Sequence, residues 1–232
     1  MYEMKTEKIF IDNIPTLVWG KESERVYIFV HGKQSFKEYA KQFASVAESK
    51  GFQTVSFDLP EHGERTDGER CDVWNGKKDL TKIADYAFHR WKNVSLFACS
   101  LGAYFSLETL SERNIEKALF LSPIVDMRLL TENMMLWFGV SAEKLEKEQE
   151  VPTPIDVLRW DCYNYILSHP VTKWNIPTAI LYGGKDNLQP RETLEAFCKK
   201  FGAVLTVSEE SEHPFLTPND EKILEKWYSE NI

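Results

Sequence analysis

A serine flanked by small residues could supply a nucleophile. Ala98 and Gly102 stand two positions before and two positions after Ser100, where an apolar strand pattern gives way to a helical pattern. A sharp strand-to-helix turn of this kind strains the serine backbone and exposes its hydroxyl. It also surrounds the hydroxyl with the first amides of the helix, which can bind a developing oxyanion. The usual motif is Gly-x-Ser-x-Gly, with alanine here in place of the first glycine; an ordinary serine at a helix N-terminus is the alternative.

An acid and a histidine follow Ser100 in the chain order that a catalytic serine requires. Asp186 comes after a predicted strand and the pair Gly183-Gly184, and His213 comes after the next predicted strand. Because the carboxyl ends of parallel strands meet at one edge of a sheet, we expect the three side chains to lie together. We therefore predict Ser100 as nucleophile, His213 as general base and Asp186 as the group that orients the histidine. Taken singly, a turn aspartate and a surface histidine are the alternatives.

Other residues compete for the acid and base roles. Asp126 follows the preceding strand and is the rival acid. We prefer Asp186, because Gly183-Gly184 leaves room for a tight turn directly after the strand. The remaining histidines lie in upstream loops, in a helix or in an insertion, and none follows a late strand: His31, His62, His89 and His169.

An oxyanion needs two backbone amides, of which the second comes from an earlier strand end. His31-Gly32-Lys33 follows the predicted strand at residues 26–30. We predict that the amides of Lys33 and Leu101 form this oxyanion hole. A generic tight turn at His31-Gly32 is the alternative.

The elements that must position these residues form an alternating series. A hairpin is predicted at residues 8–19, followed by short apolar strands at 26–30, 54–57, 94–98, 118–121, 178–182 and 203–207. Helical patterns lie between and after them, at 36–50, 80–91, 101–113, 191–201 and 219–229. Short buried strands that alternate with helices predict an α/β fold with a mostly parallel central sheet and helices on both faces.

About fifty residues between Pro123 and Trp174 interrupt this series without a clear core strand. We interpret residues 124–173 as a small helical cap inserted into a single domain that spans residues 1–232. The cap contains a cluster rich in methionine and aromatic residues at 134–138. Trp137 and Phe138 are predicted to bind the substrate, and packing within the cap is the alternative.

Charge and composition narrow the choice of partner. The chain of 232 residues has a formal charge of −8, and an acidic surface repels phosphate backbones, so we expect no nucleic-acid partner. Residues 1–8 lack the apolar segment of a signal peptide, and no apolar run approaches a membrane span. A cytoplasmic protein without stable membrane insertion is therefore expected.

The cysteines form no Cys-x-x-Cys pair and are expected to be reduced: Cys71, Cys99, Cys162 and Cys198.

The sequence resembles the α/β-hydrolase superfamily, and within it the bacterial esterase and monoacylglycerol-lipase-like group, also described as serine-aminopeptidase-like. The resemblance runs from about residue 28 to 227 and depends on His31-Gly32, residues 58–63, 98–102 and 183–186, and His213. In such proteins the loop at 58–63 usually reads Asp-x-Pro-Gly-His-Gly, whereas Glu61 replaces its glycine here.

The resemblance and the residues imply a carboxylesterase-type serine hydrolase without metal or organic cofactor. Ser100 would attack a small or medium acyl ester, a small-molecule substrate, and form an acyl-enzyme that water hydrolyses. A non-enzymatic ligand-binding protein of the same fold, and an acyltransferase or thioesterase, are the alternatives. The sequence leaves the oligomeric state open.

Overall fold

The computed structural model describes residues 4–213 and 215–232, which contain ten strands. Eight of them form one sheet in the order 1-2-4-3-5-6-9-10. The first two strands pair antiparallel, as does the second with the fourth, and every later pair is parallel. The strands are β1 (Thr6–Ile11), β2 (Ile14–Trp19), β3 (Arg25–Val30), β4 (Gln53–Phe57), β5 (Asn93–Cys99), β6 (Ala118–Leu121), β7 (Glu150–Pro152), β8 (Val157–Arg159), β9 (Thr178–Gly183) and β10 (Val204–Ser208).

Helices cover both faces of this sheet. The helices that do so are α1 (Lys41–Ser49), α2 (Val73–Arg90), α3 (Leu101–Leu110), α7 (Arg191–Phe201) and α8 (Pro218–Asn231), and the segment after β6 adds α4 (Met127–Trp137), α5 (Ala142–Glu148) and α6 (Trp160–Ser168). In β3, Val26 and Ile28 belong to the core that includes α2 and α3, whereas Tyr27 and Phe29 belong to the core that includes α1 and α8. A strand buried on both faces is apolar throughout, which explains the runs without alternation. The predicted fold class is confirmed.

Two helices begin several residues away from their predicted starts. α2 begins at Val73 rather than at residue 80, because the Asp72 carboxylate accepts a hydrogen bond from the Asn75 amide at 2.9 Å and caps the helix. After Val73 and Trp74 its first turns contain polar residues and Gly76, which weakens the helical pattern. A Cβ at Gly76 would lie 2.7 Å from the Phe105 ring, so this glycine lets α2 and α3 pack closely. The helix predicted at 36–50 is divided, with a 3₁₀ turn over Lys37–Ala40 before α1.

Residues 124–173, which we call the insert, follow β6 and contain α4, α5, β7, β8 and α6. The prediction of a helical segment missed the antiparallel hairpin of β7 and β8. Each strand has three residues, and β7 ends a charged stretch at a proline, so neither shows a strand pattern. The insert has a small core of its own, built around Met134, Leu145 and Leu158.

Candidate active site

Ser100 lies in a strained turn between β5 and α3. Its backbone has φ +50° and ψ −120°, a conformation that residues other than glycine rarely adopt. The turn brings α3 close to the end of β3. A Cβ at Gly102 would lie 2.5 Å from the His31 carbonyl oxygen and 2.7 Å from that of Val30. Gly102 is therefore required by a close backbone approach, as the sequence motif indicates.

The structure brings together the three residues of the predicted triad. His213 Nε2 lies 2.8 Å from Ser100 Oγ, and His213 Nδ1 lies 2.6 Å from Asp186 Oδ2. The Asp186 side chain is only 1% exposed and that of His213 only 14%. A hydroxyl, an imidazole and a buried carboxylate hydrogen-bonded in this order form the geometry by which a serine is activated as a nucleophile.

Asp186 is held by its own loop. Its second carboxylate oxygen, Oδ1, accepts a hydrogen bond from the Leu188 amide at 2.8 Å, and its amide donates to the Gly183 carbonyl at 2.9 Å. Asp126, the alternative candidate for the acid, instead caps a helix. Its carboxylate accepts a hydrogen bond from the Leu129 amide at 2.9 Å and caps α4.

Gly183 and Gly184 bring the aspartate loop and the histidine loop together. A Cβ at Gly183 would lie 2.6 Å from the Ser211 carbonyl oxygen, and one at Gly184 would lie 2.7 Å from Glu209 Cα. Neither glycine has a positive φ. The two glycines therefore allow close packing of the two loops, and they begin the tight turn that the sequence predicts after the strand, closed by the hydrogen bond from the Asp186 amide to the Gly183 carbonyl at 2.9 Å.

A buried carboxylate fixes both sides of the histidine loop, residues 209–217. Asp220 Oδ1 accepts a hydrogen bond from the Ser211 hydroxyl at 2.5 Å, and Asp220 Oδ2 accepts from the amide and hydroxyl of Thr217 at 2.8 and 2.6 Å. These hydrogen bonds hold the pKa of Asp220 below its ordinary value against the effect of burial, which raises it. Sequence reasoning missed Asp220, although Thr217 followed three residues later by an acid is a capping-box pattern.

The loop after β3 lies beside Ser100. A Cβ at Gly32 would lie 3.0 Å from Ser100 Cβ, so the peptide that precedes Lys33 borders the serine. His62 supports this loop, because its Nε2 accepts a hydrogen bond from the Gln34 amide at 3.0 Å. The loop geometry agrees with the predicted placement of the Lys33 and Leu101 amides, whose role as an oxyanion hole stays a prediction.

His31 is a buried structural residue rather than a base. Its Nε2 accepts a hydrogen bond from the Leu59 amide at 3.0 Å, and its Nδ1 lies 2.7 Å from the Gly32 carbonyl. Burial lowers the pKa of His31 to about 4. The ring is thus neutral at pH 7, with Nδ1 donating to the carbonyl.

Cys99 does not compete with Ser100 as a nucleophile. Burial raises the pKa of its thiol to about 12. The thiol therefore stays protonated at neutral pH, and a protonated thiol is a poor nucleophile.

A cleft of about 1650 Å³ contains Ser100 and His213 in its lining. Apolar side chains of the insert form much of one wall: Met127, Leu130, Met134, Leu158, Tyr163 and Ile166. A second wall comes from the β3–α1 region and α8, with Tyr39, Val46, Leu224 and Tyr228. A concave and mostly apolar lining around a few polar groups is typical of a small-molecule site.

The predicted substrate-binding residues Trp137 and Phe138 do not line this cleft. Trp137 is 45% exposed at the end of α4, and Phe138 packs against the core of the insert. The face of α4 that borders the cleft carries Leu130 and Met134 instead. Trp137 follows Leu130 and Met134 on the same face of α4 but at its last residue, and Phe138 comes just after the helix, so their role in substrate binding stays a prediction.

Three ion pairs join the insert to the rest of the chain along this cleft. Lys33 pairs with Asp156, and Arg70 pairs with Glu150; the side chains of both pairs are exposed. Arg159 Nη2 lies 3.3 Å from Asp72 Oδ2, and these side chains are only 12% and 10% exposed. The first two pairs lie at the rim, whereas the third is buried. Exposed pairs of this kind contribute little to stability.

Two further observations concern residues 4–213 and 215–232 only. No group of three or more histidine, cysteine, aspartate or glutamate side chains has the arrangement of a metal site. None of the helices combines the length and apolar character needed to cross a membrane.

Comparison with known proteins identifies the fold. No protein-family model matches the chain, and no curated protein sequence matches it. Among solved structures, Est1E from Butyrivibrio proteoclasticus with ferulic acid bound is similar at 18% identity and a TM-score of 0.80, covering 97% of this chain and 96% of that one. Alpha/beta hydrolase domain-containing protein 10 from mouse is similar at 15% identity and a TM-score of 0.77, with 97% of each chain covered. The esterase from Pyrococcus furiosus is 18% identical with a TM-score of 0.70, covering 99% of this chain and 89% of that one. The chain therefore has the α/β-hydrolase fold.

Proposed function

We propose that the protein is a serine hydrolase that cleaves small or medium acyl esters. The observation that carries this proposal is the hydrogen-bonded series from Ser100 through His213 to Asp186, with distances of 2.8 and 2.6 Å, at the edge of a large apolar cleft. A ligand-binding protein of the same fold has no need of a strained serine, an aligned histidine and a buried acid together.

In the proposed mechanism His213 Nε2 takes the proton of Ser100 as the serine oxygen bonds to the ester carbonyl carbon. Asp186 accepts a hydrogen bond from His213 Nδ1 and stabilises the imidazolium that forms. The amides of Lys33 and Leu101 bind the tetrahedral oxyanion. The imidazolium then protonates the leaving alcohol as the carbon–oxygen bond breaks, leaving an acyl-enzyme. Water, deprotonated by His213, attacks this acyl group and releases the acid and Ser100.

The lining of the cleft supports an acyl substrate. The insert presents apolar side chains such as Met127, Leu130 and Met134 to the cleft, and these suit the hydrocarbon part of an acyl group. The structurally similar Est1E holds ferulic acid, a small carboxylic acid. We infer that the product released from this protein is an acid of comparable size.

The proposal is tested with a fluorescent fluorophosphonate probe and p-nitrophenyl esters of increasing acyl length. Ser100→Ala should abolish labelling and lower kcat/KM by about 10⁴-fold or more, because the nucleophile is lost. Ser111→Ala is the matched control, a serine at the other end of α3 that lies outside the cleft lining. This variant should be labelled by the probe and should hydrolyse the esters with the same kcat/KM as the unmodified protein.

Two results would contradict the proposal. Ester hydrolysis that survives in Ser100→Ala would place the nucleophile elsewhere. An unmodified, folded protein that neither reacts with the probe nor hydrolyses any ester would favour the ligand-binding alternative.

A further inference from the structure

Arg159 is a buried cation in the wall of the cleft. It lies at the end of β8 in the insert, its side chain is only 12% exposed, and it lines the same cleft as Ser100. The insert residues that line the cleft with it are mostly apolar, among them Leu158, Ile166 and Leu130, and the carboxylates that act on its charge are Asp72 and Asp161. Transfer of a guanidinium from water into such surroundings is costly unless its donors are satisfied.

The protein satisfies this guanidinium incompletely. Arg159 Nη2 lies 3.3 Å from Asp72 Oδ2 and the side chain also contacts the Cys162 thiol, a weak acceptor. Among the described residues, no oxygen atom accepts a well-formed hydrogen bond from Arg159. A guanidinium has five N–H donors. Most of them are therefore available to a molecule that enters the cleft.

Asp72 does not account for the presence of Arg159. Its Oδ1 accepts a hydrogen bond from the Asn75 amide at 2.9 Å, so its charge already interacts with the positive N-terminal end of α2. A capping aspartate at a helix start needs no buried arginine. The exposed rim pairs, Lys33 with Asp156 and Arg70 with Glu150, already join the insert to the rest of the chain without burying a charge.

We propose that Arg159 binds a carboxylate on the acyl group of the substrate, so that the preferred esters are half-esters of dicarboxylic acids. This inference rests on the proposed function and names its substrate class. The planar guanidinium can donate two parallel hydrogen bonds to a carboxylate, a pairing that a lysine or a neutral donor cannot reproduce. The apolar side chains of the insert would contact the hydrocarbon between the carboxylate and the ester.

The test compares mono-p-nitrophenyl esters of dicarboxylic acids of four to ten carbons with p-nitrophenyl alkanoates of equal length. In the unmodified protein, the ratio of kcat/KM for the half-ester to that for the alkanoate should be highest at one chain length. Arg159→Gln should lower that ratio by about 10- to 100-fold, mainly through KM, because two charge-assisted hydrogen bonds are lost. The ratio for Arg159→Lys should lie between the ratios for Arg159→Gln and for the unmodified protein. Arg128→Gln, an exposed arginine of the same insert outside the cleft lining, should keep the original ratio.

Failure of this inference is distinguishable from failure of the proposed function. Equal ratios in Arg159→Gln and the unmodified protein, with both substrates hydrolysed, would overturn the inference alone. If no ester is hydrolysed, the inference is tested by measuring the binding of the free dicarboxylates by calorimetry. The unmodified protein should then bind them at least about tenfold more tightly than Arg159→Gln, and equal binding would overturn the inference.

A second variant controls for a loss of stability in Arg159→Gln. Because Arg159→Gln leaves Asp72 buried beside a neutral side chain, that variant can be destabilised. The double variant Arg159→Gln/Asp72→Asn removes both charges and keeps an oxygen to cap α2. Its ratio should be as low as that of the single variant, and a ratio equal to that of the unmodified protein would overturn the inference.

Discussion

At the scale of single residues, space determines several identities around Ser100. Gly102, Gly183 and Gly184 each lie where a Cβ would contact backbone atoms at less than 3 Å. Glu61 is a residue with a side chain at a position that favours glycine. Its φ is +64°, and the resembled family usually has glycine there. Its carboxylate accepts a hydrogen bond from the Cys71 amide at 2.7 Å, and this contact offsets the strain.

Gly102→Ala should separate the effect of crowding beside Ser100 from the effect of ordinary helix preference. Alanine favours helices, but its Cβ would press on the His31 and Val30 carbonyls. We expect a loss of about 1–3 kcal/mol in the free energy of unfolding from urea titration. We also expect a fall of about 100-fold in kcat/KM, because Ser100 is displaced. Gly139→Ala tests backbone strain without crowding, because Gly139 has φ +64° and, among the residues that the structure describes, none beyond its chain neighbours has an atom within 4 Å of an added Cβ. A Gly102→Ala protein with unchanged kcat/KM would contradict this explanation.

At the scale of elements, the histidine loop depends on the start of α8. Asp220 accepts hydrogen bonds from Ser211 and Thr217, which lie on either side of His213. Ser211 also contacts the Ser208 hydroxyl at 2.7 Å, which continues this network to β10. Asp220 is therefore a positioning residue, because it acts on His213 through the loop and does not contact the reacting atoms.

Asp220→Asn should lower kcat on p-nitrophenyl butyrate by about tenfold and leave KM nearly unchanged, because His213 is misaligned while the cleft is kept. The rate of fluorophosphonate labelling should fall in parallel. Glu230→Gln, at the far end of α8, is the matched control and should leave both unchanged. A rise in KM with unchanged kcat would show that Asp220 shapes the cleft instead.

The sequence predicted the main elements and the proximity of Ser100, His213 and Asp186 better than it predicted the insert. Ser100, Asp186 and His213 follow strands whose apolar runs are unambiguous, so their meeting at one sheet edge could be predicted. The hairpin of β7 and β8 could not, because strands of three residues carry too little pattern. Arg159 was also missed, since its burial depends on how this hairpin packs against Asp72.

At the scale of the whole molecule, the buried His31 links stability to pH. The pKa of His31 is about 4 in the folded chain, against an ordinary value of 6.5, because burial disfavours its charged form. Between these two values the unfolded chain binds a proton that the folded chain does not. The contribution of His31 to stability is thus complete above pH 6.5 and is lost as the pH falls toward 4, by up to about 3 kcal/mol.

His31→Gln should weaken this pH dependence. Glutamine can donate to the Gly32 carbonyl and accept from the Leu59 amide, but it does not titrate. We expect the free energy of unfolding, measured with urea at pH 7.5, 5.5 and 4.5, to fall by about 2–3 kcal/mol less in His31→Gln than in the unmodified protein. Parallel curves for the two proteins would show that His31 titrates normally in the folded state.

The separate core of the insert has a consequence for the design of new enzymes. The insert leaves the sheet after β6 and returns before β9, and these strands are paired neighbours. Its first residues are held from outside, because Gln189 accepts hydrogen bonds from the amides of Val125 and Asp126 at 3.1 and 2.9 Å. Residues 124–173 can therefore be exchanged as one cassette, provided that glutamine is kept at position 189 and that the insert residues buried in the main core, Ile124 and Val125, stay apolar. Chimeras made in this way would vary the insert residues that line the cleft while Ser100, Asp186 and His213 stay in place.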